Sequence, residues 1–223
     1  FEILNSVFLF NMSQLKFPDG FLWGAATASH QVEGNTTNDW SEWEKQNADR
    51  LAQEAQSKFG HIKYWERLRP EAEDPMNYIS GEACDHYHRF REDFDIAKSL
   101  HHNAHRFSIE WSRIEPTEGV FDEKAIAHYR DVLSALHERG ITPFVTLWHW
   151  TLPLWLRDQG GVASKQFPTY FERYTRHVVG KLHDQVKFWI PLNEPTSIIA
   201  GAYTTGQWPP QKKSYITAYR VYH

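Results

Sequence analysis

Glu194 follows the apolar run Phe188-Trp189-Ile190-Pro191-Leu192 and Asn193, and it precedes Pro195. A carboxyl emerging from such surroundings is expected to keep its proton closer to neutral pH. It can then give that proton to a departing oxygen and later take one from water. A glutamate salt-bridged in a loop is the plainer reading, and Asn193 either donates to a ligand hydroxyl or caps the turn. Three further sets of the same character end or follow apolar runs: Gln31 with Glu33, Glu110 with Trp111, and His149 with Trp150. Hydrogen-bonding groups beside indoles suit a neutral polyol, whose hydroxyls need polar partners while its apolar face stacks on an aromatic ring.

The elements that must position these residues are legible as an alternation. The runs 21–32, 104–111, 142–150 and 186–192 read as strands buried on both faces. In the second, Phe107, Ile109 and Trp111 share one face, and Arg106, Ser108 and Glu110 the other. Helical spacing appears in Phe90, Phe94, Ala97 and Leu100, and again in Ile126, Tyr129, Val132, Leu133 and Leu136. Asp122 is expected to cap that second helix and Gly140 to end it. Pro168 starts a third, with Tyr170, Tyr174, Val178 and Leu182 as its stripe, and 218–223 reads as a fourth. An insert over 41–60 carries an expected capping box in Ser41 and Glu44, with Leu51, Ala55 and Phe59 on one face. Strand and helix in alternation imply an α/β fold with a parallel sheet, in which functional groups gather at the C-terminal strand ends. The four sets above stand there.

Composition removes other classes. Of 223 residues, 41% are hydrophobic and 15% aromatic, enough for a buried core and too much for a disordered chain. A net charge of −4, with no basic stripe longer than Lys212-Lys213, offers no footprint for nucleic acid. His86, His88, His101 and His102 have no acidic or cysteine partner at ligand spacing, so no metal and no cofactor is expected. The single Cys84 fits a reducing compartment, and the chain is read as cytoplasmic. The apolar stretch within residues 1–12 is too short to span a membrane. It reads as an N-terminal extension (1–16) with Met12 as the expected start, followed by one domain over 17–223. Ten tryptophans are an excess: core packing explains more than half, and a polyol cleft is the sharper use for the others.

The segment from Phe17-Pro18-Asp19-Gly20-Phe21-Leu22-Trp23-Gly24-Ala25 through Gln31-Val32-Glu33-Gly34 resembles the N-terminal signature of glycoside hydrolase family 1, the β-glucosidases and their relatives. The resemblance continues through Arg106-Phe107-Ser108-Ile109-Glu110-Trp111, Thr146-Leu147-Trp148-His149-Trp150 and Leu192-Asn193-Glu194-Pro195. It implies a (β/α) barrel of the TIM type, here reduced to roughly the first four βα units, and hydrolysis of β-glycosides as small-molecule substrates. On that resemblance Glu194 is the general acid/base and Asn193 contacts the sugar 2-hydroxyl. Gln31, His149 and Trp150 hold other hydroxyls, and Arg106 supports the nucleophile.

A retaining mechanism needs a second carboxylate about 5 to 5.5 Å from the first. The resemblance places it on the seventh strand, and no segment of this sequence matches that motif. Glu110 and Glu33 are nearer candidates, but structural use is the better reading of both, with Glu110 expected to form an ion pair with Arg106. Three readings follow: a β-glycosidase, a non-hydrolytic sugar-binding half barrel or pseudoenzyme, and a chain that pairs as a homodimer or with a complementing second barrel half.

Overall fold

The structure, a computed structural model, describes residues 16–222; the proposed extension lies almost wholly outside the described residues. Four strands, β1 (Gly24–Ala26), β2 (Ala104–Ser108), β3 (Thr142–Trp148) and β4 (Phe188–Leu192), pair in parallel in the order β1-β2-β3-β4. Helices follow and separate them: α1 (Ser29–Val32), α2 (Asp39–Phe59), α3 (Trp65–Ala72), α4 (His86–Ser99), α5 (Trp111–Ile114), α6 (Glu123–Glu138), α7 (Leu154–Asp158), α8 (Phe167–Leu182), α9 (Pro195–Ile198) and α10 (Tyr215–Tyr222). Among the described residues, no helix is long and apolar enough to cross a membrane.

Most of the expected periodicity builds the core, whereas Leu100 of the first stripe falls past the end of α4 and is exposed. Phe90 and Phe94 of α4, Tyr129, Leu133 and Leu136 of α6, and Tyr174, Val178 and Leu182 of α8 are buried against Phe107, Val145 and Leu147 of the sheet. Asp122 caps α6 through Lys124 N–H at 2.8 Å, and Gly140 ends it at a φ of +66°, where a Cβ would be strained. Pro168 lies in the first turn of α8.

Several local expectations are corrected. The first run forms only a three-residue strand, because Ser29–Val32 turns into α1. Burial on both faces holds for β2 and most of β3, but β1 is exposed and β4 is half-buried with Leu192 at 36% exposure. In α2 the cap is Asn38, which exchanges bonds with Ser41; Glu44 instead reaches His30 and Ser80. The buried stripe of α2 is Ala48, Ala52 and Ala55, while Phe59 is exposed, because the small residues let this helix sit close to its neighbours.

Candidate active site

Strands β3 and β4 are each followed by backbone that most residues avoid. After β3 the chain makes a γ-turn: Thr151 N–H donates to His149 C=O at 3.0 Å across Trp150, whose φ is +75°. This hand of γ-turn is rare, and a non-glycine residue held there costs about 1–3 kcal/mol. Side chains secure it. Trp148 Nε1 donates to Thr151 C=O at 3.0 Å, and Trp150 Nε1 donates to Asn193 C=O at 2.9 Å. After β4, Asn193 N–H continues the ladder to Trp148 C=O at 3.0 Å, and Glu194 adopts a φ of +40° as the residue before α9.

Asn193 is buried and fixed at both ends of its amide. Arg106 Nη2 donates to Asn193 Oδ1 at 2.6 Å, while Arg106 Nε donates to Thr146 Oγ1 at 2.8 Å. A guanidinium has no acceptor, so the Asn193 oxygen must face Arg106 and its NH2 must face His149 Nε2, 3.1 Å away. In the neutral ring, Nε2 therefore accepts and the proton sits on Nδ1. Burial, aided by the charge of Arg106 and opposed by Glu194 and Glu110, pushes His149 down to about 4. It is neutral at pH 7.

A pocket of about 220 Å³ opens beside this pair, lined by His30, Gln31, Trp40, Ser80, His149 and Trp150 among others. Trp40 stacks on Trp150 at a centroid distance of 6.1 Å and 23°, and Trp208 leans on both. His30 Nε2 is 2.8 Å from Glu44, to which Ser80 Oγ also donates. Burial alone would discharge His30, but its hydrogen bond to Glu44 and that carboxylate's charge raise it.

The pocket thus gathers Gln31, His149 and Trp150, with Asn193 and Arg106 tied behind them. Glu194 follows Asn193 just past β4 but does not line the pocket. It is exposed, so the apolar shelter expected for its carboxyl is not supplied by the described residues. The tryptophans divide: Trp40 and Trp150 line the pocket with Trp208 against them, whereas Trp65, Trp111 and Trp148 are buried. Trp23 is exposed before β1, at the opposite end of the strands from the pocket.

The Glu110–Arg106 ion pair does not form. Glu110 is fully buried and accepts instead from Ser29, Asn38, Ser112 and Thr151, while Arg106 turns to Thr146 and Asn193. Glu33 is structural, bonded at 2.8 Å to Arg113 and to Tyr129 Oη. Its burial, only partly offset by the charge of Arg113, pushes it up to about 7.

The family model for glycosyl hydrolase family 1 matches residues 13–223. The chain belongs to glycosyl hydrolase family 1. It is 36% identical over 217 residues to beta-glucosidase A of Thermotoga maritima, covering 95% of this chain and 44% of that protein. It is 34% identical over 217 residues to beta-glucosidase A of Acetivibrio thermocellus. Its fold superposes on the beta-glycosidase from Pyrococcus horikoshii with a TM-score of 0.75 at 36% identity, covering 93% of this chain and 43% of that one. The Thermotoga maritima beta-glucosidase in complex with deoxynojirimycin gives a TM-score of 0.74 at 33% identity, with 92% and 43% covered. The chain therefore spans less than half the length of the family 1 relatives it matches, and its four-stranded parallel sheet is a partial barrel of the TIM type.

Sequence reading missed His30, Glu44 and Ser80 at the pocket. His30 adjoins Gln31 in the same signature, which was a usable signal. Glu44 was legible only as a helix residue, because its partners lie 14 and 36 positions away.

Proposed function

We propose that this chain supplies the acid/base side of a β-glycoside-hydrolysing barrel, with a β-glucoside-like small molecule as substrate. Glu194 protonates the departing oxygen and then activates water. Asn193, His149 and Gln31 hold hydroxyls of the sugar, and Trp150 with Trp40 gives its apolar face a surface. Arg106 orients Asn193, and through the same cleft it faces the place of the nucleophile. The observation that carries this reading is the chain Arg106–Asn193–His149, which presents an oriented amide and a neutral imidazole near Glu194, just past β4.

The retaining route needs a second carboxylate at about 5 to 5.5 Å. Glu110, Glu33 and Glu44 are each committed to buried partners, so the nucleophile is proposed to come from outside the described residues, from a complementing barrel half. Cytoplasmic residence belongs to the same reading and is consistent with the free, exposed Cys84. The test is turnover of a chromogenic β-glucoside by the protein and by Glu194→Gln, with the released anomer read by NMR. Collapse of turnover in the variant supports the reading; equal rates overturn it. A retained anomer supports the second carboxylate, and an inverted one shows direct attack by water.

A further inference from the structure

We infer that Glu110 is the positioning residue that holds the strained His149-Trp150-Thr151 turn against the pocket; the inference takes its ligand class from the function proposed above. Four segments meet on this one carboxylate. Its Oε1 accepts from Ser112 Oγ at 2.7 Å and from Asn38 Nδ2 at 3.2 Å, and its Oε2 accepts from Ser29 Oγ at 2.9 Å. Thr151 Oγ1 reaches both oxygens, at 3.2 and 3.0 Å. Its backbone N–H donates to Tyr129 Oη at 2.8 Å, which fixes the residue from the core side.

The donors sit at informative places. Ser29 precedes His30 and Gln31, Asn38 caps the helix that carries Trp40, and Thr151 follows His149 and Trp150. Each of these three segments contributes to the pocket wall, so one carboxylate sets their mutual spacing. Glu110 is fully buried and, among the described residues, forms no ion pair with an arginine or lysine; a buried carboxylate is tolerated when several donors satisfy its lone pairs.

The strain gives the arrangement its purpose. A γ-turn with a positive φ at tryptophan persists only where the surroundings over-determine it. Trp150 is held through its indole, and Thr151 is held through its carbonyl by Trp148 and through its hydroxyl by Glu110. Without that hydroxyl the chain is free to relax toward a negative φ, which swings His149 and Trp150 away from Gln31 and Asn193.

Replacing Glu110 itself would leave four buried donors without an acceptor and threaten folding. The test therefore changes single donors in the full chain: Thr151→Val, Thr151→Ser and, as a control on the far side of the same carboxylate, Ser112→Ala. Two quantities are read: the His149 imidazole titration by NMR, and quenching of tryptophan fluorescence by deoxynojirimycin. In Thr151→Val the His149 midpoint is expected to rise by about one pH unit as the ring gains solvent, and the ligand to bind about tenfold more weakly. Thr151→Ser restores both values, and Ser112→Ala leaves both near wild type. An unmoved His149 titration in Thr151→Val overturns the inference, as does an equal movement in Ser112→Ala, which would mean general loosening. If the wild-type protein does not bind deoxynojirimycin but His149 moves as described, the proposed function falls and the positioning role stands.

Discussion

Arg106 Nη2 lies 2.6 Å from Asn193 Oδ1, and this contact decides which way the amide at the end of β4 points. Because the guanidinium also holds Thr146, the fork is braced across β2 and β3 before it reaches β4. Arg106→Lys removes the planar fork and leaves one flexible ammonium for two acceptors. The Asn193 amide is then free to flip, and His149 loses its donor. Affinity for deoxynojirimycin is expected to fall about tenfold or more with the fold retained, as read by fluorescence titration beside a circular dichroism melt. Wild-type affinity in the variant would show that Asn193 is oriented by something else.

The core that carries the strand ends is the stacking of α6 and α8 on the sheet. Leu136 is fully buried there. Leu136→Ala should cost about 2–5 kcal/mol through lost burial and the cavity left behind. In urea titrations the midpoint drops while the slope stays constant. A loss below about 1 kcal/mol would mean that the helices repack around the site.

Asn38 has two tasks, capping α2 through Ser41 N–H at 2.8 Å and donating to Glu110 at 3.2 Å. Asn38→Ala removes both, whereas Asn38→Asp keeps the cap but turns a second carboxylate toward Glu110. We expect Ala to cost about 1–2 kcal/mol from the cap alone, with a further loss for the unmet acceptor. Asp should be at least as destabilising despite being an equal cap. If Asp were neutral in chemical denaturation, Glu110 would not be receiving the amide as described.

Acid sensitivity has a specific source in His105. Its ring is buried beside Phe94, and burial, with the nearby His86 and His102, pushes it from 6.5 down to about 4. Below pH 6.5 the unfolded chain therefore binds a proton that the folded chain refuses. Stability from this residue is full above 6.5 and is lost as pH falls toward 4, by about 1.4 kcal/mol per pH unit. Buried Glu33 and Asp39, both pushed up to about 7 chiefly by burial, act oppositely, since the folded state takes up their protons first. Replacing His105 by Gln should flatten the stability profile between pH 6.5 and 4 by about one proton. An unchanged slope would mean that His105 is solvated in the folded state.

Much of the site was legible because its residues sit where apolar runs stop. His149, Trp150 and Asn193 were visible just past apolar runs and Gln31 near the end of another, although it lies in α1 rather than on β1, and the parallel order of the sheet then brings them to one end. The helices were legible from their stripes, as in Tyr174, Val178 and Leu182 of α8. What escaped was contact between distant segments. Three of the four partners of Glu110 lie 41, 72 and 81 positions away in Thr151, Asn38 and Ser29, so Arg106, four residues back, looked like the natural mate. Burial of β1 and β4 was overestimated for a related reason: an apolar run indicates that something can cover it, and only the fold shows which face is covered.

The central claim is that Glu194 donates the proton to the departing oxygen. It is tested most directly by comparing wild-type protein and Glu194→Gln on two β-glucosides, one with an activated aryl leaving group and one with an alkyl alcohol. General acid catalysis by a positioned carboxyl contributes roughly 10²–10⁴-fold, and an activated phenolate leaves without it. Glu194→Gln is expected to lose about that factor on the alkyl glucoside and far less on the release of the aryl group. An equal loss on both substrates, or none on either, would contradict the assignment.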